Sequence, residues 1–131
     1  MLMIDILKAL SDENRLRIIN LLANQMLCVC ELEVLLDMNQ SNVSRHLGKL
    51  KSAGIIVSTK EAQWVRYVID ESFKASHGLL LEYLKSQFEE ESVYQMDLEK
   101  LSTYKDSDLT CQMITEDKLN VIKVLSATKL K

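Results

Sequence analysis

The sequence predicts a mostly α-helical fold with a single β-hairpin, on three observations. No proline interrupts the 131 residues and only three are glycine, so long stretches can stay helical. Apolar side chains recur three and four residues apart over most of the chain, the spacing of one helix face. Two short β-rich runs, residues 55–59 and 64–69, stand close together in the middle.

Taken in order, residues 2–10 place Leu2, Ile6, Leu7 and Leu10 at helical spacing. Ser11 is the expected N-cap of a second helix, with Asp12 and Glu13 in its first turn. That helix runs to about Ala23, and its Leu16, Ile18, Ile19, Leu21 and Leu22 make it largely buried. Residues 26–30 form a short extended or turning segment, and residues 31–36 a short third helix. Residues 37–40 are polar and turn-like, and Ser41 is the expected cap of a helix over 41–53. Val43, Leu47 and Leu50 share one face of that helix, and Gly54 is its stop. The two β-rich runs then pair as a hairpin across residues 60–63, without a turn glycine. One helix is expected over 71–90, with Phe73, His77, Leu80, Leu81, Leu84 and Phe88 in a broad apolar stripe. Beyond Tyr94 the pattern weakens. Thr115-Glu116-Asp117 reads as a helix start, and Leu119, Ile122 and Leu125 as a short terminal helix. The expected division is a domain over residues 1–92 and a C-terminal extension over 93–131.

Composition narrows the class of protein. With 47% apolar and 27% charged residues the chain is ordinary for a globular domain. No apolar run approaches the roughly 18 residues of a membrane span, and no basic leader with a small-residue cleavage site is present. A cytoplasmic location is therefore expected, where thiols stay reduced. Three cysteines there point to metal or redox chemistry rather than a disulfide framework. The net charge of −3 is unevenly placed. Residues 40–66 carry Arg45, Lys49, Lys51, Lys60 and Arg66 against Glu61, a net +4. Residues 71–131 carry a net −3. Basic charge is thus concentrated in one segment, as a phosphate-binding surface requires.

Two short helices, a polar turn, an amphipathic helix ending at glycine and a hairpin make, in that order, a winged helix-turn-helix. The helix after the turn offers Gln40, Ser41, Asn42, Ser44, Arg45, His46 and Lys49 as DNA-binding residues. Arg45 can bond guanine bidentately, and Gln40 or Asn42 can read adenine or bond phosphate. The serines allow close approach. His46 is equally a helix-packing or metal-site residue. Lys60 and Arg66 on the hairpin are phosphate or minor-groove contacts. The stripes of residues 2–10 and 71–90 exceed what one small core covers, so a homodimer is expected, on an operator that is an imperfect inverted repeat.

Cys28 and Cys30 stand just before this element. Thiolates are soft ligands that favour As(III), Sb(III), Cd(II), Pb(II), Zn(II) and Cu(I). Residues i and i+2 lie about 200° apart around a regular helix. Both sulfurs reach one ion only where the backbone leaves helical geometry. Inducer binding is therefore expected to distort the start of the third helix and move the DNA-reading helix.

Four segments resemble one family. Residues 8–18, Lys-Ala-Leu-Ser-Asp-Glu-Asn-Arg-Leu-Arg-Ile, look like the opening of ArsR/SmtB-type bacterial repressors. Leu27-Cys28-Val29-Cys30-Glu31-Leu32 resembles the metal-binding box of their arsenic- and cadmium-sensing branches. Asn39-Gln40-Ser41-Asn42-Val43-Ser44-Arg45-His46-Leu47 resembles their recognition helix, and Gln63-Trp64-Val65-Arg66-Tyr67 their wing strand. The resemblance covers about residues 5–90. It implies a homodimeric repressor, not an enzyme, that leaves its operator when an inducer binds. In the arsenic branch the box often ends in a further cysteine, where this chain has Glu33. The cadmium branch adds cysteines from an N-terminal arm, for which the N-terminus here is too short. Cys111 remains as third ligand beside Cys28 and Cys30, from its own subunit or the partner's, in a site for As(III) or Sb(III). An external thiol or water beside Cys28 and Cys30 is the other arrangement. The family's second metal site, at its dimer helix, lacks a histidine at Ser72, and the lone His77 reads as a packing residue. Cd(II) or Pb(II) as inducer, and thiol oxidation on the same fold, stay open as alternatives. A thiol enzyme is excluded by the absence of a βαβ pattern and of any catalytic motif.

Overall fold

The computed structural model describes residues 2–129, with side chains to Ser126; residues 1, 130 and 131, at the ends of the two expected segments, lie outside. Helices α1 (Met3–Leu10) and α2 (Glu13–Leu22) are followed by strand β1 (Leu27–Cys28), α3 (Val29–Leu36) and α4 (Gln40–Ser52). Strands β2 (Ile56–Glu61) and β3 (Trp64–Ile69) come next, then α5 (Glu71–Ser76), α6 (Gly78–Glu90) and α7 (Ser92–Asp106). The chain closes with α8 (Cys111–Glu116) and α9 (Lys118–Lys129). This is the winged helix-turn-helix order, α3-turn-α4 followed by the β2–β3 wing.

Two caps fall one or two residues from their expected places. Ser11 closes α1, its N–H bonded to Lys8 O, and the extended Asp12 caps α2, its carboxylate accepting from Arg15 N at 3.1 Å. Asn39, not Ser41, caps α4 by accepting from Asn42 N at 2.8 Å. Each replacement supplies a short side-chain oxygen at the last extended residue, which is what a cap requires. Gly54 ends α4 as expected, with φ 77° and the wrap-around bond Ile55 N to Leu50 O at 3.1 Å.

The sheet has three antiparallel strands in the order β1-β3-β2, one more than the hairpin expected from sequence. Ile56 faces Ile69 and Glu61 faces Trp64, which leaves a two-residue turn with Ala62 at φ 54°. β1 is two residues long and pairs Cys28 with Arg66. So short a strand leaves no alternation to read. The helix expected over 71–90 is broken at His77, whose φ −129° and ψ 37° are not helical. Asp70 caps the first piece, accepting from Ser72 N, and Ser-His-Gly at the break has low helix propensity. The His77 ring packs on Phe73 at 5.3 Å, the packing role read from its apolar setting.

The extension contains three helices where one was expected, and it shares a continuous core with the rest. Tyr94, Leu101, Tyr104, Ile114, Val121 and Leu125 are buried in the same cluster as Ile18, Leu32 and Leu47. Polar bonds fix α7 on α2. Arg17 binds Asp97 through Nε at 2.8 Å and Nη2 at 2.9 Å, and buried Asn20 donates to Tyr94 O at 3.0 Å. By contrast Leu2 at the N-cap of α1, Met3, Ile4 and Leu7 on α1, and Leu79 and Tyr83 on α6, are exposed. Among the described residues no helix is long and apolar enough to cross a membrane.

Candidate thiol centre and nucleic-acid interface

Cys28 occupies the N-cap of α3 in extended geometry, φ −95° and ψ 169°, and Cys30 is the second helical residue. Two such sulfurs would stand on opposite sides of a regular helix. With Cys28 outside the helix that separation vanishes, and the sulfurs lie 2.9 Å apart with no unwinding of α3. The backbone leaves helical geometry at Cys28, which is the condition that the spacing sets for convergence. Cys111, the first residue of α8, brings its sulfur to 2.7 Å from that of Cys28. All three sulfurs lie within 4.8 Å of one another. All three cysteines are free, with Cys28 and Cys111 buried and Cys30 half-buried.

Glu31 sits one turn beyond the cap and is buried beside the thiols. Its Oε1 accepts from Cys28 N at 3.0 Å and lies 3.2 Å from Cys28 Sγ, and its Oε2 accepts from Tyr104 OH at 2.6 Å. Arg66 Nη1 is 3.5 Å from the same carboxylate. Hydrogen bonding from Cys30, together with that from Cys111 and the Glu31 backbone N–H, outweighs burial and holds the Cys28 thiol below its usual range. The same Cys28–Cys30 bond, and burial, push the Cys30 thiol well up. Burial, and then the bond to Cys28, push Cys111 up to about 12. Of the three thiols, Cys28, at a helix N-terminus, is the one that loses its proton most readily. Burial and the Glu31 hydrogen bond likewise push the Tyr104 hydroxyl up, so Tyr104 stays a donor.

Gln40, Ser41, Asn42, Arg45 and Lys49 are exposed along α4, and Ser44 is half-buried and accepts from Gln40 Nε2 at 3.0 Å. Lys60 is exposed on the wing. Two of the residues expected to contact DNA are engaged within the fold. His46 is 2% exposed, inside the fold. Its Nδ1 lies 3.3 Å from Arg15 Nη1 and its Nε2 3.5 Å from Arg45 Nη2, so it packs behind α4 rather than reaching a groove. Arg66 is half-buried and turned to Glu31 and to Glu61, at 2.9 Å, because its register opposite Cys28 points it at the thiol centre.

Burial, helped by the smaller effects of the cations Arg45, Arg15 and Lys49, outweighs the upward pull of Asp12 and holds the His46 pKa below its ordinary 6.5. A histidine harder to protonate when folded lets the unfolded chain bind the extra proton first, so stability falls as pH drops below about 6.5. Thermal unfolding between pH 7.5 and 5 is expected to show a falling Tm that His46→Asn flattens. An unchanged slope in that variant would assign the acid sensitivity to other groups.

Sequence reasoning missed Glu31, Tyr104 and Lys118. Glu31 had a legible signal, an acid three residues after a cap, the capping-box spacing. Tyr104 and Lys118 had none, since each meets its partner across more than 70 residues.

A helix-turn-helix with a wing, an exposed polar helix after the turn and a thiol cluster at the preceding helix defines a DNA-binding regulator class. The family described as bacterial regulatory protein, arsR family, matches residues 12–58. The chain is 43% identical over 63 residues to an arsenic resistance transcriptional regulator, ArsR1, of Pseudomonas putida, covering 47% of this chain and 49% of that one. It is 41% identical over 63 residues to a cadmium resistance transcriptional regulatory protein, CadC, of Listeria innocua, covering 47% and 53%. The chain thus spans about half the length of these relatives. Reduced HlyU of Vibrio cholerae superposes with a TM-score of 0.56 at 35% identity, over 64% of this chain and 85% of that one. A homodimeric winged helix-turn-helix DNA-binding domain of Mycobacterium bovis, described as a possible ArsR-family regulator, gives 0.56 at 27%, over 64% and 78%. The chain belongs to the ArsR family, whose members here are transcription regulators and not enzymes.

Proposed function

We propose that this protein is a cytoplasmic repressor that binds operator DNA as a homodimer and releases it when As(III) or Sb(III) binds Cys28, Cys30 and Cys111. The observation that carries the reading is the convergence of three sulfurs within 4.8 Å. The donor set fits a trivalent metalloid. Arsenous acid exchanges its three hydroxyls for three thiols and releases three waters, so thiol protons leave with oxygen and the centre stays neutral. A divalent ion at the same thiols must expel protons held by the raised Cys30 and Cys111. It would also leave a net negative centre against the buried Glu31 carboxylate, which a low-dielectric site opposes.

The DNA surface is α4, with Gln40, Ser41, Asn42, Ser44, Arg45 and Lys49 for the major groove and Lys60 for a flanking phosphate. A second copy covers the exposed apolar residues of α1 and α6, and its two-fold axis sets two recognition helices on an inverted repeat. Residues 1–92 supply these two surfaces and residues 93–131 the third thiol.

Likeness to a cadmium regulator keeps Cd(II) or Pb(II) as a second reading. The 2.7 Å approach of Cys28 and Cys111 favours a third, in which a peroxide takes two electrons from these thiols, forming a disulfide, water and an alcohol. The deciding experiment is operator release by the reduced protein, read by fluorescence anisotropy. Arsenite is expected to release the operator at concentrations where Cd(II) does not. Release by Cd(II) alone would replace the metalloid, and release by peroxide alone under metal exclusion would make the site a redox sensor.

A further inference from the structure

Glu33, at the position where the resemblance would place another cysteine, is engaged by the extension. Lys118 Nζ donates to Glu33 Oε1 at 2.9 Å and to Met38 O at 3.2 Å. Met38 follows Asp37, whose φ of 51° ends α3, and its own N–H returns to Glu33 O at 3.0 Å. The Met38 carbonyl therefore lies just past the C-terminal end of α3, where a cation meets unpaired carbonyls and the negative end of the helix dipole. Two residues later α4 begins.

Lys118 opens α9, and a single residue, Asp117, separates it from α8, the helix that begins with Cys111. The segment from Cys111 to Lys118 thus touches α3 at both ends. Cys111 meets the N-cap Cys28, and Lys118 holds the turn at the other end. Between these points Ile114 is buried in the core, and Leu32, Leu35 and Leu36 anchor α3 there. A short, packed segment fixed at two points shifts as a body, since close-packed interiors pass displacement on instead of absorbing it.

We propose that Lys118 is a positioning residue that carries the state of the thiol centre to the recognition helix. Movement of Cys111 on inducer capture displaces α8, and Lys118 draws the Met38 turn and the start of α4 with it. The role rests on the thiol-sensing reading above and adds the route by which the two sites oppose each other. Glu33 is the other half of the contact, a charge-assisted bond that a neutral side chain does not replace.

The test uses the full chain as Lys118→Met, which keeps the apolar stem, and Lys118→Arg, which keeps the charge. Three quantities are read: operator affinity with and without arsenite, arsenite binding by ultraviolet arsenic–sulfur absorption, and amide hydrogen exchange over residues 37–42 of the free protein. Lys118→Met is expected to bind operator and arsenite within about twofold of wild type. Its arsenite-induced loss of operator affinity should be smaller by about tenfold, the size of a typical coupling between sites. Residues 37–42 should exchange faster even without arsenite, and Lys118→Arg should restore both. An unchanged arsenite effect in Lys118→Met would overturn the role. Should wild type itself ignore arsenite, the thiol-sensing reading fails, and exchange then decides the strut alone: unaltered rates over residues 37–42 would overturn it.

Discussion

Cys28→Ser is expected to abolish arsenite-induced operator release while leaving the fold and basal operator binding intact. Cys28 is the hub of the centre, in contact with the sulfurs of both Cys30 and Cys111. It is also the N-cap of α3, and serine is a preferred cap, so the helix start survives. What is lost is the soft donor. Since disturbing groups outside the ligand shell already lowers metal affinity by about 10- to 100-fold, removing the shared ligand should lower arsenite affinity by more than about 100-fold. Cys111→Ser is expected to retain weaker binding through Cys28 and Cys30 and to lose release. Arsenite titrations by absorption and by anisotropy, run in parallel, check both. Wild-type release from the Cys28→Ser protein would remove the thiol centre from the mechanism.

The largest effect on stability is expected from Asp97→Ala. The Asp97 side chain is 4% exposed and Arg17 19%, and the two bonds between them are short and bidentate. Truncating the carboxylate strands a guanidinium in a site with little water, a loss of roughly 3–5 kcal/mol for buried pairs broken on one side. A guanidinium stays protonated even where it is buried, so Arg17 does not escape by deprotonation once Asp97 is gone. Urea unfolding should show a lower midpoint, and Arg17→Met with Asp97→Leu should recover most of it, because two apolar groups leave no stranded charge. A loss under about 1 kcal/mol, the range of exposed pairs, would mean that α7 docks without help from the Arg17–Asp97 pair. Loosened docking should also weaken arsenite binding, since α7 carries Tyr104 and leads to Cys111.

Elements with a periodic apolar face were legible in the sequence: α1, α2, α4 and the wing all lie within two residues of where spacing placed them. Features that depend on one or two residues were not. The cap at Asp12 lies one residue beyond Ser11, and the break at His77 lies inside a stripe that spacing reads as continuous. In α7 the pattern fails for a different reason. Its inward face includes Asp97, which is apolar in neither sequence nor chemistry and is buried because Arg17 waits for it.

The polarity of α4's outer face was set by the sequence alone, since it depends on neighbours within a turn or two. Whether the chain would turn His46 and Arg66 outward or inward depended on which residues lay behind them, and packing against Arg15 and register against Cys28 turned both inward. The third sulfur is the furthest case. Cys111 reaches Cys28 across 83 residues because α7 docks on α2 and carries α8 to the start of α3. Local spacing specifies which faces are apolar, but only the packing of those faces against one another decides which distant side chains meet.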